Sequence, residues 1–226
     1  MEIFADTSDL KQLEELNNLG IISGCTTNPK IFYKDMSRNE ENVQNMEYFK
    51  EHMKKVLKTV NGDVSIEVTT NNLDEMVKQA VEISSWGENA VIKLPASKIG
   101  LLAQSRLWKE NQGAKTNITG CMTLNQMVTV ALSGATYGSF FYSRAGDIGI
   151  NPWNTLKDIM KVYNRNYYET KVIVGSIRTF GQINAMFTLN PDVITIPYQF
   201  FDTLINHQKT DDTIQEFLDN FKKCIK

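Results

Sequence analysis

Val64-Ser65-Ile66-Glu67-Val68, a stretch carrying Leu73, Met76, Val77, Ala80 and Val81, and then Ala90-Val91-Ile92-Lys93-Leu94-Pro95 read as strand, helix, strand. The two short runs are rich in Ile and Val and nearly continuous in apolar residues, as strands covered on both faces are. The stretch between them spaces its apolar residues three and four apart, the period of a helix with one buried face. A strand, a helix and a second strand in this order make a parallel pair with the helix packed outside.

The same alternation extends both ways. Short apolar runs fall at residues 2–6, 21–27, 64–68, 90–94, 114–119, 137–142, 172–176 and 193–196. Leu10, Leu13 and Leu16 mark a helix, and Val43, Met46, Phe49, Met53, Val56, Leu57 and Val60 a long one. Further helices are expected at Leu124, Met127, Val128 and Ala131, at 155–163 and at 182–187, and the polar stretch 34–45 as a loop. Eight strands alternating with helices predict an α/β fold, a (β/α)8 barrel, and 226 residues is near the lower size of that fold. An open nucleotide-binding sheet is weakened by the lack of a Gly-x-Gly-x-x-Gly turn or a phosphate loop. Residues 200–206 supply the last barrel helix. Residues 212–225, with Ile214, Phe217, Leu218, Phe221 and Ile225 on one side, read as an additional C-terminal helix. The expected organisation is a catalytic barrel over 1–208 and a helix over 209–226 that packs on the barrel or on a neighbouring subunit.

Composition narrows the function. The net charge is −2, without the basic excess of a general nucleic-acid binder. No apolar run is long enough for a membrane span, and no signal peptide is visible. Cys25, Cys121 and Cys224 fit neither a disulfide framework nor a zinc site, so a cytoplasmic protein with reduced thiols is expected. His52 and His207 are the only histidines, and His52 is expected on the polar face of its helix. A histidine triad or metal site is not expected, nor any metal or cofactor.

Barrel chemistry sits at the carboxyl ends of the strands. Read there, the chain delivers Asp6, Thr26 with Asn28, Glu67, Lys93, Asn117 with Thr119, Ser139 with Arg144, and Ser176 with Arg178. Seven of eight strands supply polar groups to one rim, and two of the five arginines in the chain are among them. Lys93 is the most informative, because a lysine inside an apolar strand is costly to bury as a cation. It either snorkels to solvent or an acid, or serves as an amine that forms a Schiff base with a ketone, with Asp6 and Glu67 as acid/base partners. Asp6 alone also fits a helix N-cap, and Glu67 alone an ion-pair partner. Arg144 and Arg178 offer forked donors to a phosphate near the later strands, or are surface arginines with acidic neighbours.

Gly24-Cys25-Thr26-Thr27-Asn28-Pro29-Lys30 resembles the Thr-Asn-Pro signature of the transaldolase family, and Val91-Ile92-Lys93-Leu94-Pro95 resembles the segment around its Schiff-base lysine. Asn117-Ile118-Thr119, Gly134-Ala135 leading to Ser139, Arg144, and Ser176-Ile177-Arg178 are similar to further family landmarks, in order. The size matches the small subfamily that also holds fructose-6-phosphate aldolases. The resemblance implies Lys93 as nucleophile, Glu67 working through a water at Thr119, and Asp6 as base for the C4 hydroxyl. It implies Asn28, Asn117 and Ser139 on the hydroxyls of the three-carbon fragment, Arg144, Ser176 and Arg178 on phosphate, and Thr26 and Phe141 among the other substrate-binding residues.

Glu67, Phe141 and Ser139 are the transaldolase choices within the subfamily. The implied reaction transfers a dihydroxyacetone unit from sedoheptulose 7-phosphate to glyceraldehyde 3-phosphate, giving erythrose 4-phosphate and fructose 6-phosphate. The alternatives are an aldolase releasing free dihydroxyacetone and a catalytically silent sugar-phosphate binder. A homo-oligomer is implied, commonly a decamer built by exchange of the C-terminal helix. Ser143 and Gly175 depart from the glycine and alanine usual at their positions.

Overall fold

The computed structural model describes residues 1–38, 45–110 and 113–225. Its eight parallel strands close on themselves in sequence order. β1 (Glu2–Ala5) is followed by α1 (Leu10–Asn18), β2 (Gly24–Thr26), α2 (Pro29–Arg38) and α3 (Met46–Thr59). Then come β3 (Asp63–Glu67), α4 (Leu73–Ser84), β4 (Ala90–Pro95), α5 (Lys98–Glu110), β5 (Lys115–Cys121) and α6 (Leu124–Leu132). The second half holds β6 (Tyr137–Phe141), α7 (Tyr142–Asp147), α8 (Pro152–Asn166), β7 (Lys171–Gly175), α9 (Phe180–Leu189) and β8 (Val193–Ile196). A 3₁₀ turn (Tyr198–Phe200) leads to α10 (Phe201–Ile205) and α11 (Gln208–Cys224). β1 pairs with both β2 and β8, which closes the ring. The expected (β/α)8 barrel with a C-terminal helix is therefore the fold. Among the described residues no helix is long and apolar enough to cross a membrane.

The main core lies between the strands and the helix layer, where Leu13, Leu16, Met53, Val56, Met76 and Ile83 are buried from helices against Ile66, Ile92 and Val174. A second cluster of Phe4, Val91, Tyr137, Ile173 and Val193 is separate from it. Phe4 and Tyr137 stand on strands that are not neighbours, yet their rings meet edge-on at 6.1 Å. That contact crosses the barrel interior and plugs its amino-terminal end. Tyr137 donates to Asp63 at 2.8 Å, and Lys115 pairs with the same carboxylate at 2.6 Å. The interior is thus filled from below, and the opposite end opens into a cavity.

Several local expectations need correction. The stretch 34–45 is not all loop, because α2 runs to Arg38; residues 39–44, which include Val43, lie outside the described residues. Its polarity misled because Asp35 is buried and employed, its Oδ2 accepting from Ser8 N at 2.8 Å, Ser8 Oγ at 3.0 Å and Thr7 Oγ1 at 3.1 Å. α5 gave no helical stripe because its buried face is Gly100, Ala103, Gln104 and Leu107, while Ile99, Leu102 and Trp108 are exposed. Asp6 is not a helix cap: Asp9 caps α1, accepting from Lys11 N at 3.0 Å and Gln12 N at 3.2 Å. His52 is not on a polar face. It is buried, and its Nε2 donates to the Ser8 carbonyl at 2.7 Å. Asp35 and His52 together pin the turn that follows Asp6.

Candidate active site

β4 brings Lys93 to the open end of the barrel. Lys93 is paired across the sheet with Glu67 on β3 and Asn117 on β5, so the three rise to the same height. Its side chain is 4% exposed. The amine therefore points into the barrel rather than snorkelling out, with Nζ donating to the Thr27 carbonyl at 2.9 Å and 3.3 Å from Glu67 Oε2. Glu67 is 27% exposed, so the pair has one member in contact with solvent.

Asp6 follows β1 directly and faces the same cavity. Its Oδ1 accepts from Thr26 Oγ1 at 2.8 Å, and Thr26 Oγ1 lies 2.6 Å from Thr195 Oγ1 on β8. Burial pushes the Asp6 carboxyl above the ordinary aspartate range. The Thr26 hydrogen bond and the Lys93 charge pull it back, Asp35 raises it again and Lys34 lowers it.

Thr119 is aimed by a bulge. β5 slips register against β6 between Thr119 and Cys121, and Gly120 there has φ of 84°. An L side chain would strain that position, and the extra residue turns Thr119 toward the cavity. Its Oγ1 is buried without a hydrogen-bond partner among the described residues.

A cavity of about 820 Å³ joins these groups. Asp6, Thr26, Asn28, Glu67, Lys93, Thr119, Ser139, Phe141, Arg144, Ser176 and Arg178 all line it. Asn28 also caps α2, its Oδ1 accepting from Ile31 N at 2.9 Å. Asn117 is the exception among the candidates. It is fully buried and off the cavity wall, donating to Ser65 Oγ at 3.1 Å and accepting from Ser139 Oγ at 2.7 Å. It holds Ser139 in place.

Arg144 lies over the Phe141 ring, 5.3 Å from its centroid. Arg178 forks onto Asp147 at 2.8 and 2.6 Å, and both side chains are about half exposed, at 51% and 52%. A guanidinium has five N–H donors, so this fork leaves three for an anion. Gln182 Oε1 accepts from Arg178 N at 2.8 Å and from Ser143 Oγ at 3.0 Å, tying the loops that carry the two arginines. Ser143 thus has work that a glycine would not do. Ser176 itself sits at φ of 61°, a left-handed conformation uncommon for serine.

Burial pushes the Cys25 thiol up, and the Cys121 thiol up to about 12, which suits packing and not nucleophilic attack. Among the described residues no group of three or more His, Cys, Asp or Glu is placed to hold a metal ion. Sequence reading did not pick out Thr195, Asp35, Asp147 or Gln182. Thr195 could have been found by asking for the polar residue inside each strand, the question that finds Ser139.

A family model described as transaldolase/fructose-6-phosphate aldolase matches residues 3–226. Curated relatives include a "Probable transaldolase" of Thermoplasma volcanium, 35% identical over 223 residues, which are 99% of this chain and 96% of that one. Another "Probable transaldolase", from Streptococcus agalactiae, is 37% identical over 226 residues, 99% of this chain and all (100%) of the relative. A third, from Methanococcus vannielii, is 36% identical over 226 residues, 100% of both chains. With a barrel, a buried strand lysine and a match along almost the whole sequence, this chain belongs to the transaldolase/fructose-6-phosphate aldolase family of enzymes.

Proposed function

We propose that the protein is a transaldolase that moves a dihydroxyacetone unit between a ketose phosphate and an aldose phosphate through a Schiff base on Lys93. The observation that carries this reading is the buried Lys93 amine, 3.3 Å from Glu67, on the cavity that also holds Asp6. As a free base, Nζ attacks the C2 carbonyl of the donor. Glu67 and a water seated at the otherwise unpartnered Thr119 hydroxyl move the protons while the carbinolamine loses water. Asp6 then takes the proton of the C4 hydroxyl. The C3–C4 bond breaks, its electron pair passes into the iminium, and an aldose phosphate leaves an enamine on Lys93. An incoming aldose reverses these steps. A base whose carboxyl is held above the ordinary range keeps that proton more readily than a surface aspartate would.

Ser139, braced by Asn117, faces the three-carbon fragment, and Arg144, Ser176 and Arg178 meet the phosphate at the rim. Sedoheptulose 7-phosphate and fructose 6-phosphate both suit this layout, because each carries its phosphate at the end away from C2. Glu67 and Phe141, together with the names of the relatives, favour transfer over simple cleavage. The test is acceptor dependence. With fructose 6-phosphate as donor, product is expected only when an aldose phosphate acceptor is present. Steady release of free dihydroxyacetone without an acceptor would identify the aldolase instead.

We also assign α11 to subunit pairing. With the Ile225 that follows it, it exposes Ile214, Phe217, Leu218 and Phe221, at 50–65% each, none of them buried by the described residues. Removing the residues after Lys209 is expected to lower the molar mass in solution to that of a smaller assembly. An unchanged mass would refute the assignment.

A further inference from the structure

Thr195 stands on β8, 5% exposed, on the cavity wall. Its hydroxyl lies 2.6 Å from Thr26 Oγ1, and Thr26 donates to Asp6 Oδ1 at 2.8 Å. A hydroxyl has one proton to give. When Asp6 is ionised it can only accept, so Thr26 commits its proton to it and Thr195 is the donor in the short contact with Thr26. Three groups from β8, β2 and the end of β1, neighbours in the ring, thus form a directed relay that ends on a carboxylate. Room for it is left by β7. A methyl group on Gly175 would come within 3.3 Å of Thr195 Cγ2, so a glycine there lets Thr195 keep the rotamer that aims its hydroxyl at Thr26.

Resting on the reading of Asp6 as the base, we propose that Thr195 is a positioning residue which polarises Thr26 and so sets how readily Asp6 accepts the substrate proton. A donor that is itself hydrogen-bonded donates more strongly, and the effect is largest where water is excluded. Losing the Thr195 hydroxyl weakens the Thr26 bond that favours the ionised form of Asp6, and Asp6 then holds a proton up to higher pH. The other groups facing Asp6 stay in place. These are Lys93 from β4, Asp35 and Lys34 from α2 and the Cys25 thiol from β2, with Glu67 from β3 across the cavity. A change in Asp6 titration on altering Thr195 therefore reads the relay alone.

The test is an isotope-edited infrared titration of the Asp6 carboxyl in the unliganded protein, with Asp6→Asn subtracted to identify its band. Thr195→Val keeps the shape of the side chain and removes the donor. It is expected to raise the proton affinity of Asp6 about two- to tenfold, the upper end being the net weight of one hydrogen bond. Thr195→Ser is expected to restore the parent midpoint, which a purely packing role would not do. If Thr195→Val does not fold, Thr195→Ala removes the same donor from a smaller side chain and reads the same midpoint. An unmoved midpoint in a folded Val or Ala variant, or a Ser variant that behaves like Val, overturns the relay. The titration needs no turnover, so it separates failure of the relay from failure of the functional reading. The latter would show as full activity in Asp6→Asn. Where the reading holds, the acid limb of kcat/KM moves upward with the infrared midpoint.

Discussion

Lys93→Met is expected to lose aldol activity by roughly 10⁴- to 10⁶-fold, the scale seen when a covalent nucleophile is removed. Treatment of the parent with borohydride and fructose 6-phosphate is expected to leave a three-carbon adduct on Lys93, detected by mass spectrometry of the peptide, and the variant should take no label. The result is informative only if the variant folds, and the structure argues that it does. Methionine fills nearly the space of the lysine stem. It forgoes one hydrogen bond to the Thr27 carbonyl and one ion pair, but it also removes the cost of a charge at 4% exposure. Replacing both members of a buried ion pair by apolar groups is often neutral or stabilising, whereas removing one member is costly when it leaves the other charge buried. Its partner Glu67, at 27% exposure, keeps contact with water and is not stranded. The Tm should therefore fall by no more than the 2–4 °C that corresponds to about 1 kcal/mol in a chain of this size. Unchanged activity in a folded Lys93→Met protein would remove the Schiff-base mechanism altogether.

The barrel was legible because its evidence is periodic. Strand and helix periods differ, the strand runs recur eight times with helical stretches between most of them, and few other architectures share that rhythm. The rim was legible for a related reason: once strand ends are located, polar residues there stand out against apolar runs, as Lys93 does in Ala90-Val91-Ile92. What stayed hidden depends on contacts between distant parts of the chain. Nothing in the sequence near Asn117 says that it lies behind Ser139. Nothing near Arg178 says that Asp147, 31 residues earlier, grips both of its terminal nitrogens. Asp35 fell in a stretch read as loop and His52 on a polar helix face, and their use appears only when the turn after Asp6 is seen between them. α5 was missed for a local reason. Its buried face is Gly100, Ala103, Gln104 and a single large apolar residue, Leu107, which leaves no hydrophobic stripe to read.

The grip on Arg178 bears on the phosphate role proposed for it. A free arginine on a loop would sample many rotamers, and ordering it would cost part of the binding energy. Asp147 has already fixed this one, and the Arg178 hydrogen bonds in turn hold the Asp147 carboxyl below its usual range. Gln182 fixes the backbone of the same residue. On the proposed function the rim would present an ordered guanidinium to an incoming phosphate. The surface ion pair and the phosphate contact would then be one arrangement, so the two readings of Arg178 left open by the sequence are compatible.

Asp6→Asn should separate the two halves of the reaction and reveal a stability cost of the site. Asparagine keeps an oxygen to accept from Thr26 but cannot take a proton. Schiff-base formation does not use Asp6, so borohydride should still trap substrate on Lys93, while carbon–carbon cleavage and transfer slow by about 10²- to 10⁴-fold, the weight of a general base. The stability effect follows from the raised Asp6 carboxyl and runs opposite to that of a salt-bridged aspartate. At low pH the folded and unfolded chains both carry Asp6 protonated, and it contributes nothing. As pH rises past the unfolded value of about 3.9, the unfolded chain releases this proton first, because burial makes the folded protein retain it. The folded state then binds more protons than the unfolded state, so stability falls with rising pH until the raised folded value is passed, and the full cost remains above it. Asparagine carries no such cost. Asp6→Asn is therefore expected to melt above the parent at neutral pH, with the advantage shrinking as the pH is lowered through that window. Thermal melts of both proteins from acid to neutral pH check this. A variant that melts lower at neutral pH, or a difference that does not change with pH, would mean that Asp6 is stabilised as an anion and is not poised to receive a proton.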